Sequence, residues 1–537
     1  MPCPLRAART AAFLAALMAG LATPAAAQQT RAERTGYAET SSLADVAAFL
    51  DTLATRTGDI RVGRLTTSID GRVTPLVVAS RPLVADAGEA HRSGKPMVYL
   101  QANIHAGEVE GKEAVQALLR DLTLGPLRPL LDSLVLLVVP VYNADGNEAW
   151  AAGEENRPGQ NGPALVGRRS NGQGLDLNRD YVKQEAPETR AAAAILAEWD
   201  PDLFVDLHTT NGSYHGYALT FSPGLNPNEG PANRFVRDRL LPEVRRRMKA
   251  RHGYETFWYG NFRNQEPDSL TQGWETYEGT PRYGTNWVGL RGRMAVLSEA
   301  YSNADFRTRV LATYAFVREV LGFAAERAAD VKAANRADDR DRPDSVGVRL
   351  ALAPPVEAEV IAEITHAAGD GSHGFARRQR SGVFRRVTMP VYDRFIATRH
   401  EAVPAGYLLP SAYPEVAALL RRHGIAVERL GAEWRGPLEG FVVDSVVPAR
   451  GPFEGHRATR VEGAWRSREG VVPAGWYWVS TDQPRGLLAA WLLEPASEDG
   501  VVTWNLLDRG LRPRAEAPVR RLRRAPEVPR AMVDAGR

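Results

Sequence analysis

In 537 residues there is a single cysteine, Cys3. That excludes a disulfide framework, and Cys3 stands too early to be a lipid-attachment site at the end of a signal sequence. A thiolate-held metal is excluded as well, so any ion has to be held by His, Asp or Glu. Apolar runs are also scarce. Beyond residue 27 no stretch reaches the roughly 18 apolar residues that a spanning helix needs. Charge of one sign is lacking too: 67 Lys and Arg stand against 64 Asp and Glu, with no long basic run. The electrostatic footprint of a nucleic-acid partner is therefore missing. What remains is a globular composition, 44% hydrophobic and 24% charged, too long for one ordinary core.

The first 27 residues differ from the rest. Arg6 and Arg9 precede an apolar run from Ala11 to Ala22, followed by Thr23-Pro24 and Ala25-Ala26-Ala27. A charged start, a short apolar stretch and an A-x-A ending have the form of a secretory signal peptide. Its removal takes away Arg6 and Arg9 and leaves 65 basic against 64 acidic residues. An N-terminal membrane anchor is the alternative, but about 12 apolar residues are short for a span. The expectation is a secreted or periplasmic protein with no membrane span in the mature chain.

From about Ser41 to Gly322 short apolar strands alternate with helix-like stretches. Met97–Leu100, Leu134–Val139, Leu203–Leu207 and Met294–Leu297 are candidate strands, and the Leu/Val run at 134–139 suits burial on both faces. Strand alternating with helix predicts an α/β fold with a mixed, mostly parallel central sheet flanked by helices. Residues 326–345 carry dense mixed charge without apolar periodicity and read as a solvated helix end running into a linker. Beyond them, short β-type runs such as Gly440–Val443 and Trp476–Val479 predict a smaller, strand-rich C-terminal domain. The resulting division is a signal peptide over 1–27, a main domain over 28–325, a linker over 326–345, an accessory domain over 346–512 and a loose tail over 513–537.

Each of the four candidate strands delivers polar residues just past its carboxyl end, where open α/β sheets bind ligands. The first leads to His105 and Glu108, the second to Asn143 and Asp145, the third to His208 and the fourth to Glu299. His105 and Glu108 are three apart at a strand-to-helix junction, so a turn can bring both onto one ion. With His208 they make two imidazoles and a carboxylate, which leaves a fourth position for water, the arrangement of a catalytic zinc rather than a structural one. Glu299 follows the apolar run MAVLS and can act as a base toward such a water. The residues alone favour a different role for it, as the partner of Arg291 or Arg293 in an ion pair. The loop Arg169–Arg179 (RSNGQGLDLNR) is the densest polar motif; its arginines offer planar forks that fit a carboxylate.

Taken together, H-x-x-E, then P-x-x-N-x-D-G (Pro140, Asn143, Asp145, Gly146), then R-x-N-x-x-G-x-D-L-N-R, a strand-final His and a late Glu resemble the carboxypeptidase A-like zinc metallocarboxypeptidases. The resemblance runs from about Ser41 to Gly322. It implies one Zn²⁺ per chain held by His105, Glu108 and His208, with Glu299 promoting a zinc-bound water. It further implies that Asn178 and Arg179 bind the terminal carboxylate of a peptide or protein substrate, and that Arg169 stabilises the oxyanion. The family's capping Tyr corresponds to Tyr277 or Tyr283, with Tyr277 favoured.

The sequence departs from the family where Thr209-Thr210-Asn211-Gly212 follows His208, and no residue is assigned to the base of the specificity pocket. Amidohydrolases of the aspartoacylase and succinylglutamate desuccinylase type share H-x-x-E and D-L-N-R, but they are typically shorter and cytoplasmic. A cell-wall peptide hydrolase and a non-catalytic binding protein on the same scaffold are the other readings. Intact ligands and Glu299 weigh against the last of these.

Overall fold

The computed structural model describes residues 28–367 and 378–533. The proposed signal peptide lies outside the described residues. Among those described, no helix is long and apolar enough to cross a membrane.

The apolar runs become strands because their alternate residues can be buried on both faces of one sheet. Eight strands form it: β1 Ile60–Thr67, β2 Val73–Ala79, β3 Met97–Ala102, β4 Val135–Val139, β5 Leu203–Thr209, β6 Leu219–Pro223, β7 Thr256–Trp258 and β8 Met294–Ala300. Their order is β1-β2-β4-β3-β5-β8-β6-β7. The central four, β4, β3, β5 and β8, are mutually parallel, and β1, β2 and β6 join antiparallel. Helices α1 Leu43–Arg56, α2 Glu110–Thr123 and α3 Phe306–Glu326 cover one face and pack on Val98, Leu100, Val205 and Leu207. Tyr99, Leu137 and Phe204, which alternate with those residues, point to the other face. This is the α/β architecture expected, with the strand-rich C-terminal region.

On that second face lie the helices Pro187–Glu198 and Gly284–Leu290, and the C-terminal region packs on them, with its helix Pro414–Arg422 against Pro187–Glu198. One continuous apolar core runs from Leu65 through Tyr99 and Trp287 to Trp491 and Val519. A seven-stranded antiparallel sheet, in the order 459–472, 434–448, 516–522, 406–409, 477–480, 428–430, 530–532, is the largest sheet of the region among the described residues. Strand Arg378–Tyr392 also pairs in parallel with Trp274–Glu275 of the main region.

Two expectations fail here. The helix in the stretch 326–345 is not solvated: Ala328–Asp338 is docked, with Val331 and Asn335 buried and Asn335 Nδ2 donating to Asp202 O (3.1 Å). Nor is 513–537 a loose tail. Glu516–Leu522 lies between two strands of the C-terminal sheet and buries Ala517, Val519 and Leu522. Its arginines looked solvated in the sequence because their partners are distant in the chain; Arg521 pairs with Glu494 and Glu401.

His423 joins the two regions. It is fully buried; its Nδ1 accepts from Trp287 Nε1 (3.0 Å) and Gln184 Nε2 (3.1 Å), and its Nε2 donates to Val182 O (3.0 Å). Burial pushes its pKa down to about 3, with the bond to Val182 opposing and Arg291 adding to the fall. The unfolded chain, with a histidine pKa of about 6.5, binds a proton that the native state refuses, so stability is lost as the pH falls below that value. Going from pH 7 to pH 5 is expected to cost the protein about 2 kcal/mol more than it costs a His423→Gln variant. Urea unfolding at both pH values checks this, and equal losses would mean that His423 is charged in the fold.

Candidate active site

The carboxyl ends of β3, β5 and β8 bring the candidate residues to one edge. Asn103, just after β3, takes a positive φ of 64° and its Nδ2 donates to the Ala106 and Glu108 carbonyls (both 3.2 Å). The chain turns there before α2 begins, and the turn places His105 Nδ1 3.1 Å from Glu108 Oε1. From β5, His208 Nδ1 lies 3.0 Å from Glu108 Oε2. Glu299 of β8 stands in direct register beside His208. All four are buried.

The three ligand atoms of His105, Glu108 and His208 lie within 4.8 Å of one another. Each imidazole turns its Nδ1 to Glu108 and its Nε2 to a further carboxylate: His105 to Asp176 Oδ1 (2.9 Å) and His208 to Asp206 Oδ2 (3.0 Å). A carboxylate behind a histidine fixes the tautomer and leaves the other nitrogen to a metal. Two imidazole nitrogens and one carboxylate with an open side fit zinc. Burial raises the Glu108 pKa, but Arg157 and His105 outweigh it and hold the carboxyl well below its usual range.

The loop Arg169–Arg179 wraps around this group. Asp176 is its knot: Oδ2 accepts from Arg169 Nε (3.1 Å) and NH2 (2.8 Å), and Oδ1 accepts from the Asn178 amide (2.9 Å) as well as facing His105. Burial is outweighed by His105, Arg169 and Arg179, which hold its carboxyl far below the usual range. Arg169 keeps 40% of its side chain exposed and comes within 3.6 Å of Glu108. Asn178 Oδ1 accepts from the Gly284 amide (2.8 Å), which ties the loop to the segment carrying Tyr283. The Arg179 guanidinium lies over the Tyr283 ring, 3.9 Å from its centre.

His105, Glu108, Arg169, Asn178, Arg179, His208, Tyr277 and Glu299 all line one small cavity, about 130 Å³. Tyr277 and Tyr283 both reach it, with ring centres 5.1 Å apart; the Tyr277 hydroxyl donates to Asn286 Oδ1 (3.3 Å). The cavity continues past His105, Glu108 and Arg169 into a second chamber of about 340 Å³ lined by Arg157, Pro158 and Asn211. Burial pushes the Glu299 carboxyl up to about 8; His208, Arg157 and Arg169 pull it down, and Glu108 adds to the rise. A cation held by the three ligands would pull it down further. The ion pair from Glu299 to Arg291 or Arg293 does not form. Arg293 pairs with Asp200 and Asp339, and Arg291 donates to the Leu196 and His423 carbonyls.

The P-x-x-N-x-D-G motif turns out to be scaffold. Asn143 Nδ2 donates to the Ile104 and Arg169 carbonyls, joining the two loops, and a Cβ on Gly146 would stand 2.5 Å from Arg168 O. Sequence reasoning missed Arg157, whose NH1 is 3.3 Å from Glu108 Oε1 and whose NH2 donates to Thr209 O and Thr210 O. It also missed Tyr259, which lines the cavity and whose pKa is raised by burial, with Glu299 next. The only hint of Arg157 was a polar loop without any fixed spacing to the strand ends.

The sequence profile described as zinc carboxypeptidase matches residues 46–294. Carboxypeptidase 2 of Trichophyton equinum is 25% identical over 440 residues, covering 78% of this chain and 75% of that protein. The probable carboxypeptidase 2 of Arthroderma benhamiae is 26% identical over 429 residues, covering 76% and 75%. Both alignments extend beyond the 46–294 segment. Among solved structures, the carboxypeptidase A of Helicoverpa armigera aligns with a TM-score of 0.41 at 16% identity, covering 55% of this chain and 75% of that one.

Proposed function

We propose that this chain, a zinc metallocarboxypeptidase in its segment 46–294, is an exported hydrolase that removes residues from the C-terminal end of peptides. The observation that carries the reading is the placing of Arg179 and the His105, Glu108 and His208 ligands on one narrow cavity. An anionic chain end held at Arg179 puts the last peptide bond beside the ligand group. One zinc ion there supplies Lewis-acid polarisation and acidifies water.

The chain's own groups do the rest. Asn178 and Arg179 hold the terminal carboxylate, and the Tyr283 ring keeps the Arg179 fork flat and partly shielded from solvent. Glu299, buried and raised, accepts the proton of the attacking water and delivers it to the leaving amine. Arg169, fixed by Asp176, is a cation aimed at the charge that develops on the carbonyl oxygen. Tyr277, its hydroxyl bonded to Asn286, forms part of the cavity wall and caps the last residue. Export rests on the sequence of residues 1–27.

A bidentate, partly desolvated Arg–carboxylate contact is worth about 2–4 kcal/mol, or roughly 30- to 1000-fold in kcat/KM. Amidating the substrate removes the contact from one side and Arg179→Ala removes it from the other. Each change is expected to cost that much, and the two together little more than one, because the second finds no partner left. The assay compares free-acid and amidated peptides on the two enzymes. If the wild type cuts amidated peptides as fast as free acids, the carboxypeptidase reading fails.

A further inference from the structure

Some of the contacts between the C-terminal region and the main region fall on the segments that carry the substrate-binding groups. His456 Nε2 lies 2.8 Å from Glu185 Oε1, and the Lys183 ammonium stands 4.5 Å over the Trp504 ring. Asp499 Oδ2 accepts from the Arg282 amide (2.7 Å), next to Tyr283. One contact goes deeper. At the tip of a tight turn closed by mutual Phe453–His456 backbone bonds, Glu454 holds a positive φ of 48°, a strained conformation for a side-chain-bearing residue. From there its Oε2 accepts the backbone N–H of Asp176 at 3.0 Å.

Asp176 is the residue whose carboxylate orients His105, Arg169 and the Asn178 amide. Its side chain makes those bonds, and its main chain is held by Glu454. We propose that Glu454 is a positioning residue of the active site, and that the C-terminal region contributes it as a built-in part of the catalytic apparatus. The inference rests on the zinc carboxypeptidase reading above. Removing the acceptor frees the Asp176 peptide, which loosens a metal ligand's partner and the loop bearing Asn178 and Arg179 together. Effects on metal affinity and on KM are therefore coupled through one hydrogen bond, and kcat follows more weakly.

The test uses the full chain with Glu454→Ala, Glu454→Gln and Glu454→Asp. Gln keeps an oxygen at the same reach, whereas Asp keeps the charge but is one methylene short. Zinc affinity is read by chelator competition, and KM and kcat with free-acid peptides. Ala and Asp are expected to weaken zinc binding by about 10-fold and to raise KM by a similar factor. Gln is expected to stay within about twofold of the wild type on both measures, with all three variants melting near it. Unchanged zinc affinity and KM in Glu454→Ala overturn the proposal, and so does a functional Asp beside an impaired Gln, since charge rather than reach would then matter. If the alanine variant does not fold, the Gln–Asp pair still decides. Failure of the carboxypeptidase reading shows separately, as indifference of the wild type to C-terminal amidation, while the zinc arm still judges Glu454.

Discussion

A His208→Ala chain purified with zinc is expected to hold far less than one ion and to lose hydrolysis by at least about a thousandfold. His208 is one of the three donors proposed for the ion, and neither neighbour can replace it. Glu108 is already engaged by His105, Arg157 and the Thr209 amide, and Asp206 faces the imidazole from behind. The activity lost corresponds to several kcal/mol of charge stabilisation that no remaining side chain supplies. Because His208 is buried in a central strand, circular dichroism and the melting temperature have to accompany the zinc measurement. A His105→Ala, His208→Ala double variant is the stronger form of the experiment. Full zinc occupancy in that variant would sink the ligand assignment.

Glu299→Gln is expected to retain zinc while kcat falls by about 100- to 10,000-fold, the range of general acid–base catalysis. The substitution keeps the shape of a residue packed in register with His208 and removes only the ability to take a proton. Stability separates this from damage. The native Glu299 pKa, pushed up to about 8, lies above its unfolded value, so the ionised group costs the metal-free fold stability as the pH rises toward 8. Gln carries no such cost. Metal-free Glu299→Gln is therefore expected to be more stable than the metal-free wild type at pH 8 to 9, in spite of being inactive. Undiminished turnover in the zinc-loaded variant would place the base elsewhere.

Much of this was legible in the sequence because it depends on local rules. The four runs read as strands are the four central parallel ones, where burial on both faces leaves an unmistakable apolar signature, and the polar residues at their ends converge because parallel strands end on one edge. The outer strands β1, β6 and β7 mix polar or aromatic residues among their apolar ones, so no continuous apolar run announced them. Arg157 and Tyr259 reach the site from loops, where side-chain direction is set by tertiary contacts alone. Charge density misled twice, at 326–345 and after residue 512, because a charged residue looks solvated until its partner is known; Arg521 is buried on Glu494. Asp176 stood in the quoted motif, yet its part in holding His105 and Arg169 at once shows only in three dimensions.

The apolar core that runs unbroken from Leu65 to Val519 bears on how such a protein can diverge. Where two parts share one interior, neither is a portable cassette. A chimaera carrying another protein's C-terminal region would set foreign side chains against Trp287, and would leave the Asp176 amide to a turn of different shape. Changes on one side have to be matched by changes on the other. The two parts are then inherited as a single co-adapted block, and melting is expected to give one calorimetric peak rather than two.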